Sequence, residues 1–429
     1  MANGSSRAGN HWLYQWIDEY EARNATDVAD RLKYSAAIAR LQELAARGQN
    51  TEPSDIPLSL TVVAGPGLEP DAPGMCADYE CQQRNVDLNF GNVLHYFDYV
   101  TMEGPSARVY NSRLNNVSKK RDLELLEWHL TQDVLLLNHI RDIGLADYVV
   151  FSPKVCYCRH HLKEKANDIG LAHLVDDEMV EDLAKLVSRE GNVHLVSDGP
   201  RTWYASIRHP LFDGLAGHQM RQKTRPKKTE AAAYLIRNWL SSAVIDATTA
   251  RELEAPLASF GSTSFFDRMQ AANPEKLSID DVGARIRIPA LTGLSTRAII
   301  ELRNNEYHHF ERFRGILREA IAETIDKSGS NSPDKVAELV WQNRIRPAVA
   351  DIERKIAASD TAFRVKLAAA VGVGSVAAAI GVVAGLPWLI GVGTLAAGTP
   401  LPQFFKATED RQQVKSSDMY FLWKAARTH

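Results

Sequence analysis

The chain has 429 residues, of which 45% are apolar and 24% charged; that balance supports two or three domains with sizeable cores and excludes a wholly disordered chain. Its 50 Lys and Arg against 53 Asp and Glu leave a net charge of -3, so no whole-chain field draws it to nucleic acid. Four cysteines in this length exclude a disulfide scaffold and leave thiols or metal ligands.

The N-terminus, MANGSSRAGNHWLYQWIDEYEARN, is polar and holds no apolar run of the kind a secretory leader needs. The expected location is the cytoplasm, with attachment to the inner membrane through the C-terminal segment described below. Trp12, Trp16, Tyr20, Leu32, Ile38, Leu41 and Leu44 fall at helical spacing over about residues 11–47, with a break near 24–26 and Gly48 as the stop. LSLTVV (58–63), ended by Gly65-Pro66-Gly67, predicts a first buried strand, and NVLHYFDYVTM (92–102) a second.

Leu123, Leu126, Leu130, Val134, Leu137 and Ile140 then predict a long helix over 119–143, capped at Gly144. YVVFS (148–152) predicts a third strand, 177–188 a helix and NVHLVS (192–197) a fourth strand. RQKTRPKKT (221–229) has linker composition; a helix over 231–245, an extended piece at 284–291 and a helix over 295–325 follow, the last capped by Ser295 or Thr296. A further helix after Pro333 meets Pro347, where a kink or a new start is expected.

Strands alternating with helices, then helices alone, give a mixed, mostly helical α/β fold. It comprises an N-terminal helix plus an α/β layer, a helical second half and a C-terminal apolar helical hairpin. The corresponding boundaries are 1–50, 51–220, 229–330 and 333–429.

The strongest functional signal lies between Lys366 and Lys406, where no side chain is charged. The stretch 367–405 divides at Pro387-Trp388 into two arms, each approaching the ~20 apolar residues that cross ~30 Å of hydrocarbon. Arg364 and Lys366 before it, and Lys406, Arg411 and Lys415 after it, favour both ends on the cytoplasmic side. Gly381 and Gly385 form a small-xxx-small pair, and Ala370, Gly374 and Ala378 repeat the spacing on another face, which lets helix backbones approach closely. A hairpin buried inside a soluble fold has the same composition.

Candidate chemistry is more dispersed. Cys76 and Cys81, with Cys156, Cys158, His160 and His161, gather every cysteine and present the ligand types that zinc prefers; buried or incidental thiols are the competing reading. Asp98, Glu103 and Asp198 stand near strand ends and form a catalytic set if they meet at one sheet edge, where Mg²⁺ needs one or two carboxylates. Glu306 and His309 have Glu-x-x-His spacing without the second copy that a di-iron site needs. No Gly-x-Gly-x-x-Gly, Walker or Gly-x-Ser-x-Gly signature occurs.

These features give three expectations. The first is an α/β-helical protein whose hairpin attaches to or inserts in a membrane and associates with lipid or with its own copies, as a sensor-effector of a bacterial conflict system would. The second is a Zn- or Mg-dependent hydrolase or nuclease, and the third a scaffold that binds a protein partner through its aromatic tail, MYFLWKA (419–425). Nucleic acid is not expected as a partner, because the basic runs at 119–121 and 221–228 are not interleaved with aromatics.

Overall fold

The structure, a computed structural model, describes residues 10–49, 60–65, 67–70, 76–115, 120–155, 157–189, 191–197, 201–212, 215, 217–258, 277–288, 291, 294–330, 332–348, 350 and 420–425. The chain divides into two compact units: Met1–Asn89 with Phe97–Asn273, and Phe90–Tyr96 with Pro274–His429.

The N-terminal helical region is three helices, α1 (Trp12–Tyr20), α2 (Ala25–Leu32) and α3 (Ser35–Gln49). Asn24 causes the expected break: its side chain accepts from the Asp27 N–H while the Asp27 carboxylate accepts from the Asn24 N–H, a reciprocal cap that starts α2. Strand β1 (Thr61–Ala64), helix α4 (Tyr79–Asn89), the turn α5 (Gly91–Leu94), strand β2 (Tyr99–Met102), helices α6 (Ala107–Asn115) and α7 (Lys120–Asp142), and strand β3 (Val149–Phe151) follow. The expected second strand is therefore half helical: only Tyr99–Met102 pairs, and the earlier apolar run forms α5. Val93, Leu94, Tyr96 and Phe97 are all buried, and a continuous apolar run carries no period that separates strand from helix.

Helices α8 (Arg159–Asp168) and α9 (Asp177–Arg189) lead to an antiparallel sheet of β4 (Val193–Ser197), β5 (Thr202–Ile207) and β6 (His218–Arg221). Arg221 closes β6 and Lys228 opens α10 (Lys228–Glu252), so most of the linker-like run is a short connection inside the first unit. Strand β7 (Leu257–Ala258) completes a four-stranded parallel sheet in the order β3-β2-β1-β7. Its register sets Val63 beside Thr101 and Leu257, and Thr101 beside Val150. The inner face of the antiparallel sheet (Val193, Ala205, Ile207, Met220) packs on Leu235, Ile236 and Trp239 of α10.

The second unit contains α5, α11 (Ile279–Gly283), α12 (Thr296–Asn305), α13 (Tyr307–Ser328), α14 (Pro333–Val340) and α15 (Tyr420–Ala425). Ser295 caps α12 through the Ala298 N–H, as expected, and Gly329 ends α13 with φ 55°. A wide turn at Trp341–Ile345 precedes Pro347, and 284–288 forms no strand. Three arginines tie α12 and α13 to the 90–96 segment: Arg303 donates to Leu94 O (3.2 Å), Arg314 to Tyr96 O (3.5 Å) and Arg318 to the Tyr96 hydroxyl (3.0 Å). Arg318 also meets Asp280 at 2.6 Å.

Phe421 is wholly buried, its ring 5.2 Å from Phe310 and 5.6 Å from Phe313, and Leu422 is buried beside it. The aromatic tail thus completes the core of its own unit. Among the described residues no helix is long and apolar enough to cross a membrane. The 367–405 stretch, including Gly374, Gly381, Gly385, Pro387 and Trp388, lies outside them.

Candidate ligand site at the carboxyl edge of the parallel sheet

All four strands of the larger sheet are parallel, so their carboxyl ends share one edge. Strand β1 lies between β2, from which the order continues to β3, and β7 on its other side. That is a topological switch point, where open α/β sheets form a crevice outside the strand ends.

The segments that leave β1, β2 and β3 at this edge each deliver a charged side chain. After β1 the chain makes one helical turn, with Leu68 and Glu69 N–H donating to Gly65 O at 3.0 and 3.1 Å. Asn85 and Asn89 of α4 hold the turn from outside by donating to Leu68 O (3.3 Å) and Gly67 O (3.1 Å). It carries Glu69 inward, 1% exposed, where one carboxylate oxygen accepts from the Glu103 and Gly104 N–H groups at 2.8 and 3.2 Å. The other oxygen accepts from Lys154 Nζ, three residues after β3.

Lys154 also donates to Asp246 Oδ1 at 2.6 Å. Asp246 lies on α10, fully buried, and its Oδ2 has no hydrogen-bond partner among the described residues. Glu103 follows β2 directly. Gly104 beside it has φ +65°, and a Cβ there would stand 3.0 Å from the Phe151 ring, so this corner takes glycine for both reasons. His11 backs the corner: its Nδ1 accepts from Leu13 N–H, and Nε2 carries the proton donated to Pro105 O at 3.2 Å.

Charge is concentrated here in a dry setting. Burial, reinforced by Glu69, raises the Glu103 carboxyl to about 7. Burial likewise lifts Asp246 to about 6, against the pull of Lys154. For Lys154 burial acts to lower the pKa, but Asp246 and Glu69 outweigh it and the ammonium is held above its ordinary value. Burial takes His11 down to about 3, leaving it neutral at physiological pH. A carboxyl poised near 7 exchanges a proton at neutral pH, as a general acid or base must.

The raised Glu103 pKa has a measurable consequence. Between its unfolded value near 4 and about 7, the folded protein holds a proton that the unfolded chain has lost, so stability falls as pH rises through that window. Glu103→Gln should leave stability unchanged near pH 4 and raise it at pH 8 by about 1–3 kcal/mol. Urea unfolding at the two pH values measures the difference.

No family model, curated protein or solved structure matches the chain. Its function is therefore argued from this geometry alone.

Of the carboxylates expected to act together, Glu103 is the one that reaches this edge among the described residues. Asp98 precedes β2, with its N–H bonded to Leu60 O at 2.8 Å; at ~3.3 Å per residue it stands about 16 Å from Glu103, at the opposite edge. Asp198 lies outside the described residues. Glu69, Lys154 and Asp246 were not singled out in the sequence; the one local signal was the place of Glu69, two residues after the Gly65-Pro66-Gly67 sequence that ends a buried strand.

The cysteines and histidines come together in pairs. Cys76 hydrogen-bonds Cys81 and raises its thiol pKa, and Cys158 Sγ lies 3.2 Å from His161 Nδ1. His160 meets Glu164 at 3.4 Å, and Cys156 lies outside the described residues. Cys158 and His161 line an open cleft of about 620 Å³ with Tyr157 and Lys165. Among the described residues no group of three or more His, Cys, Asp or Glu is placed to hold a metal ion.

Proposed function

We propose that the protein is a ligand-responsive effector that binds a small polar molecule at the carboxyl edge of its parallel sheet and attaches to a membrane through the charge-free 367–405 hairpin. The observation that carries the membrane half is that the described elements on either side of that stretch belong to one unit. Helix α14 precedes it in the second unit, and α15, which follows it, is buried in the same unit's core through Phe421 and Leu422. A segment tied at both ends to one body can enter a bilayer only if it returns to the same side, and two apolar arms about Pro387 have that form. Basic residues at both flanks and none in the turn agree with it. Fractionating cells that express the full chain or a chain lacking 367–405 tests the reading: the full chain should pellet with membranes and the shortened one should not. Equal distribution of the two would sink it.

The Glu103 carboxyl favours a second reading, in which the same edge is catalytic. Three carboxyl groups and one ammonium make the crevice acidic and unsuited to a phosphate, whereas an uncharged, hydroxyl-bearing substrate can donate hydrogen bonds to it. Glu103 would supply or remove the proton in hydrolysis, with Lys154 supporting developing negative charge. Glu103→Gln would then lower kcat by about 10²–10⁴-fold with little change in KM. Thermal-shift screening of uncharged glycosides and nucleosides identifies the substrate class on which to measure it.

A further inference from the structure

Among the described residues no element covers one face of the antiparallel sheet β4-β5-β6, and that face has a specific chemical character. Along β5, Ala205 and Ile207 point into the core, while Thr202, Tyr204 and Ser206 alternate to the other side. Tyr204, 41% exposed, lies in register with Val196 of β4 and Gln219 of β6; His194 and Ser206 form the neighbouring pair. Gly217 gives the tyrosine its place, because a Cβ there would come within 2.7 Å of Tyr204 Cζ.

One end of this face is strongly basic. Thr202 is in register with Arg221, and the Gln222 N–H donates to Arg201 O at 3.0 Å, which brings Arg201, Arg221 and Lys223 to the same end of the sheet. All three are exposed, and none forms an ion pair among the described residues. Arg225 lies 5.9 Å from the ring centroid of Trp203, which alternates to the opposite face with Ala205 and Ile207, so it adds charge near this end but not on this face. From Arg189 to Lys228 the sequence has eight Lys and Arg against three acidic residues, on a chain of overall negative charge.

We infer that this face binds single-stranded nucleic acid, with the phosphate backbone on the Arg201–Arg221–Lys223 end and a base stacked on Tyr204. Strands ~4.8 Å apart make the face about 10 Å wide, room for two or three nucleotides. Bases stack on an exposed aromatic ring regardless of sequence, and hydroxyl, amide and imidazole groups at Thr202, Ser206, Gln219 and His194 can meet their edges. A lipid surface would satisfy the cations equally well, but it would press those four hydrogen-bonding side chains against acyl chains for the sake of a single aliphatic residue, Val196. Along the sequence the aromatics stand some twenty residues before the cationic run; pairing of β5 with β6 brings them together.

Fluorescence anisotropy of the full chain with labelled oligouridylate of about ten nucleotides tests the inference. Binding should weaken with salt, with a log–log slope of about -2 for about three phosphate contacts. Arg221→Gln with Lys223→Gln should lower that slope by about 1.4 and weaken binding to oligouridylate and oligothymidylate alike. Tyr204→Ala should lose roughly five- to a hundredfold at unchanged slope, and Tyr204→Phe should retain affinity. Absence of binding, or binding that none of these variants alters, would overturn the inference. So would binding to phosphatidylserine vesicles with none to oligouridylate, which would assign the face to lipid.

Discussion

Lys154→Met is expected to destabilise the first unit by about 3–5 kcal/mol. Methionine matches the length of the lysine stem and fills its space, so the loss comes from charge. Glu69 and Asp246, 1% and 0% exposed, would be left as neighbouring carboxylates without the ammonium that bridges them. Without the ammonium the Asp246 carboxyl, already raised to about 6 by burial, would take up a proton more readily still. The variant should therefore recover part of its stability at pH 5, where Asp246 is neutral. Adding Asp246→Leu to Lys154→Met should restore part of the loss at neutral pH, because removing the ammonium together with one of its two carboxylates leaves less uncompensated buried charge than removing the ammonium alone. Guanidinium unfolding at pH 7 and pH 5 measures both effects.

Phe421→Ala is expected to cost the second unit about 3–5 kcal/mol. The side chain is 0% exposed, between Phe310 and Phe313, and its removal leaves an apolar cavity that α13 cannot close without moving its own rings. Under the proposed membrane reading the loss also bears on the charge-free stretch, because α15 is the described element that follows it. In Phe421→Ala the C-terminal residues should become cleavable by trypsin, at Lys424 first, under conditions that leave the native chain intact. Phe421→Leu keeps most of the volume and should retain most of the protection.

The elements most legible in the sequence were those with strong period or clear punctuation. The long helix α7 and the break between α1 and α2 carried their own signals in spaced leucines and in Asn24 with Asp27. The candidate site was far less legible. Glu69, Lys154 and Asp246 are separated by 85 and 92 residues, and each is an unremarkable charged residue in its local context. They meet because parallel strands place all their carboxyl ends on one edge, a consequence of pairing order that local pattern does not contain. Glu103 was accessible only because it ends a strand, and Asp98 looked equivalent until β2 separated the two. Likewise, Tyr204 and Arg221 belong to one surface only once β5 and β6 are paired.

The most direct test of the central claim is the topology of the 367–405 stretch, read with two reporter fusions expressed in a bacterial host. Alkaline phosphatase, active only outside the inner membrane, is fused after Leu386, and a fluorescent protein that matures only inside is fused after His429. The account predicts an active phosphatase at the turn and a fluorescent C-terminus, as a hairpin with both ends on the inner side requires. An inactive phosphatase together with a fluorescent C-terminus would contradict it, leaving the charge-free arms on the same side as the rest of the chain.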